Sequence, residues 1–106
     1  MDDRTAQVLD ALGDPTRRAV LELVRRRPRA VGDIAEQLPV SRPAVSKHLR
    51  VLEGAGLVSG RVAGRQHLYS VTPEGLRGLQ AWVSSFWDDV LTALDDHLQN
   101  AAEEMP

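Results

Sequence analysis

Apolar residues follow a helical spacing through the first half of the chain, alternate with polar ones near residues 57–71, and return to helical spacing beyond Thr72. Val8, Leu9 and Leu12 predict a short helix over about residues 5–12, ended by Gly13. Asp14-Pro15 then reads as an N-cap followed by a first-turn proline, opening a helix whose inward stripe is Ala19, Val20, Leu23 and Val24 and which Pro28 stops. A third helix, Val31 to Leu38, turns Ile34, Ala35 and Leu38 inward, and Pro39-Val40-Ser41 leads tightly into a fourth. In that fourth segment, Ser41 to Glu53, Val45, Leu49 and Leu52 share one side. Pro43, Ser46, Lys47 and Arg50 share the opposite side, within about 100° of one another. Leu57 to Val62 and Gln66 to Val71 are β-prone runs on either side of Ala63-Gly64-Arg65, a hairpin pattern.

Two helices so closely joined, with the small Ala35 where they cross, predict a helix-turn-helix, and the basic hairpin directly after it predicts a wing. The expected fold is mainly α with a small β-hairpin: a winged helix-turn-helix in the order α-α-α-α-β-β-α, forming a single domain over residues 1–106. Ser41 is expected to cap the fourth helix and Gly54-Ala55-Gly56 to end it. Its outward face carries Lys47, Arg50 and small hydroxyls without a carboxylate, which suits a polyanion and marks it as a DNA-recognition helix. The wing offers Arg61, Arg65, Gln66 and His67 to the sugar-phosphate backbone or the adjacent minor groove. Arginines at a hairpin tip also serve as edge protection, but their place after a recognition helix favours DNA. His67 and Tyr69 fall on one face of their strand, and Tyr69 reads as packing.

Thr72-Pro73-Glu74 opens a last helix running to about residue 100, with Thr72 as its N-cap. Leu76, Leu79, Val83, Phe86, Val90 and Leu94 make one apolar stripe, expected to pack on the same chain. Trp82, Trp87, Leu91 and Leu98 widen it, and together with Leu9 and Leu12 they call for a second copy. The first helix (about 5–12) and the last (about 73–100) therefore define the expected homodimer interface, which would present two recognition helices to an inverted repeat.

Charge sharpens this picture through its distribution. The net charge is −2. Residues 42–67 hold Arg42, Lys47, Arg50, Arg61 and Arg65 against Glu53 alone, a local +4, whereas residues 86–106 hold six acids and no cation. Screening confines each patch to about 8–10 Å, so the basic stretch acts on its own. The closing run Arg25-Arg26-Arg27 of the second helix reads first as a solvated end favoured by the helix dipole, with phosphate contact as the alternative. The absence of cysteine excludes disulfides, thiolate metal sites and cysteine catalysis. No signal-peptide pattern and no membrane-length apolar run is present, so a cytoplasmic location is expected. Three scattered histidines, His48, His67 and His97, with no phosphate loop or serine arrangement beside them, argue against an enzyme, and no cofactor is expected. A winged-helix adaptor that binds protein is the other alternative; the unopposed basic patch argues against it.

The chain resembles the ArsR/SmtB family of bacterial dimeric winged-helix repressors over nearly its whole length. The resemblance rests on Leu12-Gly13-Asp14-Pro15-Thr16-Arg17-Arg18, Val31-Gly32-Asp33-Ile34-Ala35 and Ser41-Arg42-Pro43-Ala44-Val45-Ser46-Lys47-His48-Leu49. It continues through Leu52-Glu53-Gly54-Ala55-Gly56-Leu57-Val58 and Gly64-Arg65-Gln66-His67-Leu68-Tyr69, in the same order and spacing. It implies repression at a promoter, DNA contacts at Arg42, Pro43, Ser46 and Lys47, a dimer built from the first and last helices and, more loosely, control of the protein's own operon. The candidate recognition-helix contacts are thus Ser41, Arg42, Pro43, Ser46, Lys47 and Arg50. The chain departs from the thiol-sensing members, which carry cysteines where Asp33 to Leu38 stands here. Zinc sensors pair a carboxylate and a histidine two apart on the last helix with a second ligand pair downstream. Asp95 and His97 match the first spacing but no second pair follows, and they lie about 200° apart on a helix, so no metal site is expected. A metal- or small-molecule-responsive derepressor remains the alternative form of the function. His48, beside the apolar stripe, is expected to be a partly buried hydrogen-bonding residue, with a phosphate as one candidate partner, rather than a metal ligand.

Overall fold

A computed structural model describes residues 1–103. The first helix, α1 (Asp3–Ala11), begins two residues before the expected start because Asp2 caps it, taking the Thr5 N–H at 2.7 Å. The second, α2 (Pro15–Arg26), is capped by Asp14, whose Oδ1 accepts the N–H groups of Thr16 at 2.8 Å and Arg17 at 3.0 Å. Arg17 and Arg18 then close off the end of α1. Nε of Arg17 donates to the Ala11 carbonyl and Arg18 to the Leu12 carbonyl, both at 2.7 Å, on acceptors that a helix C-terminus leaves free.

The sequence pattern missed a strand. Arg29–Ala30 forms β1, which pairs antiparallel with β3 (Gln66–Val71), Arg29 opposite Tyr69 and Ala30 opposite Leu68. With β2 (Val58–Ala63) this makes a three-stranded sheet of order β1-β3-β2 rather than a bare hairpin. Two residues are too few to show alternation, so β1 exists only through its long-range partner. Arg29 itself is buried, donating from Nε to the Leu23 carbonyl at 2.8 Å and from a terminal nitrogen to Asp33 at 3.2 Å.

The helix-turn-helix is α3 (Val31–Gln37) followed by α4 (Arg42–Gly54). Ile34, Val45 and Leu52 are fully buried, in one core with Val8, Val20, Val24, Leu49 and Leu57. The end of α4 is a Schellman cap: Leu57 N–H bonds the Leu52 carbonyl, Gly56 N–H bonds the Glu53 carbonyl, and Gly56 has φ +78°. This cap turns the chain straight into β2, one residue later than expected. Ala63 pairs with Gln66, so the wing tip is a two-residue loop, Gly64-Arg65, instead of three residues. Gly64 has φ +64° and Arg65 does not have a positive φ, which is the pattern of a type II′ turn.

Beyond β3, Thr72 N–H bonds the Leu57 carbonyl, and the chain passes α4's cap through a 3-10 turn, Pro73–Leu76, before α5 (Arg77–Glu103). Thr72 makes no side-chain cap, in contrast to the expectation, and the helix extends past residue 100. Glu104, counted in the acidic end, lies outside the described residues. Two glycines permit this route: a Cβ on Gly75 would overlap the Gly56 carbonyl, and one on Gly78 would overlap the Thr5 hydroxyl.

The stripe expected to pack α5 on its own chain does so only at its start. Leu76 and Leu79 join the core, but Val83, Phe86, Val90 and Leu94 are exposed together with Trp82, Trp87, Leu91 and Leu98. Packed within the chain against α1, α5 projects as an arm, giving a long axis of 74 Å and a radius of gyration of 19.7 Å. A compact chain of this length would have about 13 Å.

Two outcomes follow from these contacts. Gly75→Ala forces Cβ against backbone that cannot rotate away, and is expected to destabilise by about 1–3 kcal/mol, read as a lower Tm and a lower denaturant midpoint. Gly54→Ala, where the added Cβ has open space, should leave both unchanged or raised. Asp14 gives a pH signature. The Arg17 N–H, then the Thr16 N–H, stabilise its carboxylate and lower its pKa below the ordinary 3.8. The contribution is therefore complete above that ordinary value and lost as pH falls through the lowered one. Asp14→Ala should melt below wild type at neutral pH, with a gap that closes under acid; a gap independent of pH would refute the charged cap.

Candidate nucleic-acid interface

The buried stripe of α4 sets the direction of its other face. With Val45, Leu49 and Leu52 turned inward, Pro43, Lys47 and Arg50 are exposed on the opposite side and Ser46 is half-buried beside them. Ser41 is occupied as the cap, its Oγ accepting the Ala44 N–H at 3.3 Å, and its O–H remains free to donate outward. Arg42, at the first turn, lies back across α3: a Cβ on Gly32 would sit 3.0 Å from its guanidinium. The glycine thus makes room for this arginine at the junction of the two helices.

Arg42 also borders an open cleft of about 510 Å³ between the start of α3 and the wing tip, where it faces Arg65, Gln66 and His67. The fold therefore brings the first turn of α4 and the end of the wing, 23 residues apart in sequence, to one concavity. Arg61 lies farther down the exposed edge of β2. Across the strands, Arg61 is opposite Leu68 and Val62 is opposite His67, which puts Arg61 and His67 on opposite faces of the wing. His67 is not a free tip: its ring packs against that of Tyr69, tilted by 36° with centroids 4.8 Å apart, and folds over Gly60, whose missing Cβ leaves the space.

The electrostatics of this surface are one-sided. Among the described residues every ion pair involves Arg17, Arg25, Arg27 or Arg29, and none involves Arg42, Lys47, Arg50, Arg61 or Arg65. Five cations thus stand without a carboxylate within 4.0 Å; of these, Arg42 and Arg65 border the cleft, whose lining also holds Asp33 and Glu36. Asp33 is already engaged by Arg29 and Arg27. His48 is half-buried on the flank of α4, and its buried Nδ1 meets no hydrogen-bond partner among the described residues.

At the other end of the molecule, Leu12 leans on the core and Leu9 is half-buried, so α1 offers a smaller free apolar surface than its sequence suggests. The exposed surface of α5 is larger than expected. From Trp82 to Leu98 its apolar residues fill an arc of about 180°, with Asp88, Asp89, Asp95, Asp96 and Glu103 on the remaining half. His97 falls within the apolar half and Asp95 within the acidic half. No helix among the described residues is long and apolar enough to cross a membrane.

Residues 14–59 match the family described as bacterial regulatory protein, arsR family. The HTH-type transcriptional regulator Rv2034 of Mycobacterium tuberculosis is 50% identical over 77% of each chain. The transcriptional repressor SdpR of Bacillus subtilis is 35% identical over 74% of this chain and 88% of its own. In structure, the homodimeric winged helix-turn-helix DNA-binding domain of Mb0332 from Mycobacterium bovis superposes with a TM-score of 0.66 and 31% identity, covering 82% of this chain and 81% of that one. The winged helix-turn-helix geometry and these relatives agree, and the chain belongs to the ArsR family of bacterial regulatory proteins.

Proposed function

We propose that this protein is a sequence-specific double-stranded DNA-binding repressor that acts as a homodimer on an inverted-repeat operator. The observation that carries the reading is the set of five unpaired cations on α4 and the wing, two of which, Arg42 and Arg65, meet at one cleft. An α-helix of 13 residues is about 20 Å long, and its exposed side fits the roughly 12 Å width of a major groove. Ser46 and Lys47 are the base-reading positions, Arg42 and Ser41 act at the edge of the groove, and Arg50 and Pro43 line the phosphate strand. Arg61, Arg65 and Gln66 of the wing hold the sugar-phosphate backbone, and His67 acts there through its packing on Tyr69. The B. subtilis relative's description as a repressor supports the sense of regulation. Such a role needs no catalytic group or cofactor and places the protein in the cytoplasm with the DNA.

The same reading assigns the uncovered arc of α5 to a second copy. The M. bovis neighbour is homodimeric, and Trp82, Trp87, Leu91 and Leu98, with Leu9 and Leu12 at the edge, supply an apolar surface that a monomer would leave in water. A two-fold axis through α5 sets two copies of α4 on successive turns of the duplex, about 10 bp apart.

Leu91→Glu should place an uncompensated charge in that interface at a cost on the order of several kcal/mol. Light scattering at micromolar concentration should then show a dimer for the wild type and a monomer for the variant; a monomeric wild type contradicts the role of α5. Ser46→Ala and Lys47→Ala should shift base preference as well as affinity, by about 1–3 kcal/mol per good base contact. Arg61→Ala and Arg65→Ala should weaken operator and scrambled duplex alike, lowering the log–log salt slope by about 0.9 for each phosphate no longer neutralised, and twice that in a dimer. Salt titrations on both duplexes distinguish the two groups, and the reverse pattern would make the wing the reading element.

A further inference from the structure

The arginine run that ends α2 is not used by the proposed recognition surface, and the fold separates its members. Arg25 turns back along the helix to Glu22 at 2.8 Å. Arg27, the C-cap residue with extended backbone, borders the β3 side of the wing near its tip. There it borders a second hollow of about 210 Å³, facing Gln66 and Leu68 of β3. This hollow and the main cleft share Ala30, Asp33 and Gln66, so one groove runs from Arg27, past Gln66, to Arg42 and Arg65.

The carboxylate on that path is Asp33, and it has more positive charge than it needs. Arg29, with a side chain only 8% exposed, holds its Oδ2 at 3.2 Å. Arg27 reaches the same oxygen at 3.5 Å but is 62% exposed. An exposed pair of this kind is worth little, and Arg29 keeps Asp33 neutralised if Arg27 leaves. Arg27 can therefore exchange the carboxylate for a phosphate at small cost. Double-stranded DNA carries a charge for every 1.7 Å or so of axis, so a duplex seated on Arg42 and Arg65 has further phosphates to offer a hollow that adjoins them.

We propose that the groove between the end of α2 and the β3 side of the wing holds the DNA sugar-phosphate backbone beyond the wing contact, with Arg27 as its phosphate ligand. The inference rests on the DNA-binding reading and extends it by one phosphate per subunit. An acidic protein segment has the same sign of charge, but the continuity with Arg42 and Arg65 favours the duplex.

The test uses the full chain with its operator. Arg27→Ala should lower the salt slope by about 1.8 per dimer, at 0.9 per phosphate, equally on operator and scrambled duplex. In ethylation interference the variant should no longer respond to one symmetric pair of phosphates, different from the pair that drops out in Arg65→Ala. Arg27→Lys keeps a point charge and should retain most of the slope, and Arg25→Ala should match wild type. A wild-type slope and interference pattern in Arg27→Ala overturns the proposal, as does weaker binding with the slope intact, which would make Arg27 only a support for Asp33. Absence of salt-dependent binding by the wild type would instead overturn the DNA-binding reading itself.

Discussion

The rotation of α4 about its own axis is the constraint from which the surface of this protein follows. Val45, Leu49 and Leu52 are at most 1% exposed, and they meet Val20 and Val24 of α2 and Ile34 of α3 in one core. Burying side chains of this size contributes about 1.5–3 kcal/mol each relative to exposure, so a turn of α4 by a quarter revolution would forfeit several of these terms together. Lys47 and Arg50 are consequently held outward without any polar bond of their own. The chemistry of the outer face is specified by packing on the inner one.

A second link ties the wing to the same helix. The Schellman cap at Gly56 delivers Leu57 into the core and β2 immediately after it. On its return, the chain is fastened by the Thr72 N–H on the Leu57 carbonyl and by the close approach of Gly75 to Gly56. Reading helix and wing are thereby anchored at one point, while β1 holds the near edge of β3 through Arg29 and Ala30.

Local signals made most of this fold legible. The caps Asp14 and Ser41, the proline after each, Gly56 and Gly64 all act within a few residues of their own position, and the structure uses them where the sequence places them. What the sequence did not show depends on partners far along the chain. β1 is defined by Tyr69 and Leu68, some 40 residues later, and the posture of Arg42 depends on the absence of a side chain at Gly32. The constraint on His67 likewise comes from Gly60 across the strand. For α5, periodicity measured how much apolar surface exists but not where the rest of the chain runs out. Leu76 and Leu79 exhaust the core that the other elements provide, leaving an arc of about 180° on a helix 27 residues long.

That excess gives the division of charge a physical sense. The arm that projects from its contact with α1 carries Asp88, Asp89, Asp95, Asp96 and Glu103, while α4 and the wing carry the cations, and screening limits each patch to about 8–10 Å. Its acids therefore do little to weaken the field of the five unpaired cations, and a net charge of −2 is compatible with a strongly basic working surface. Covering the apolar half of α5 with a second copy leaves the acidic halves facing water on the pair, where like charges oppose further association and a wrong seating of DNA. The negative charge in the chain thus helps determine which of its faces a polyanion can approach.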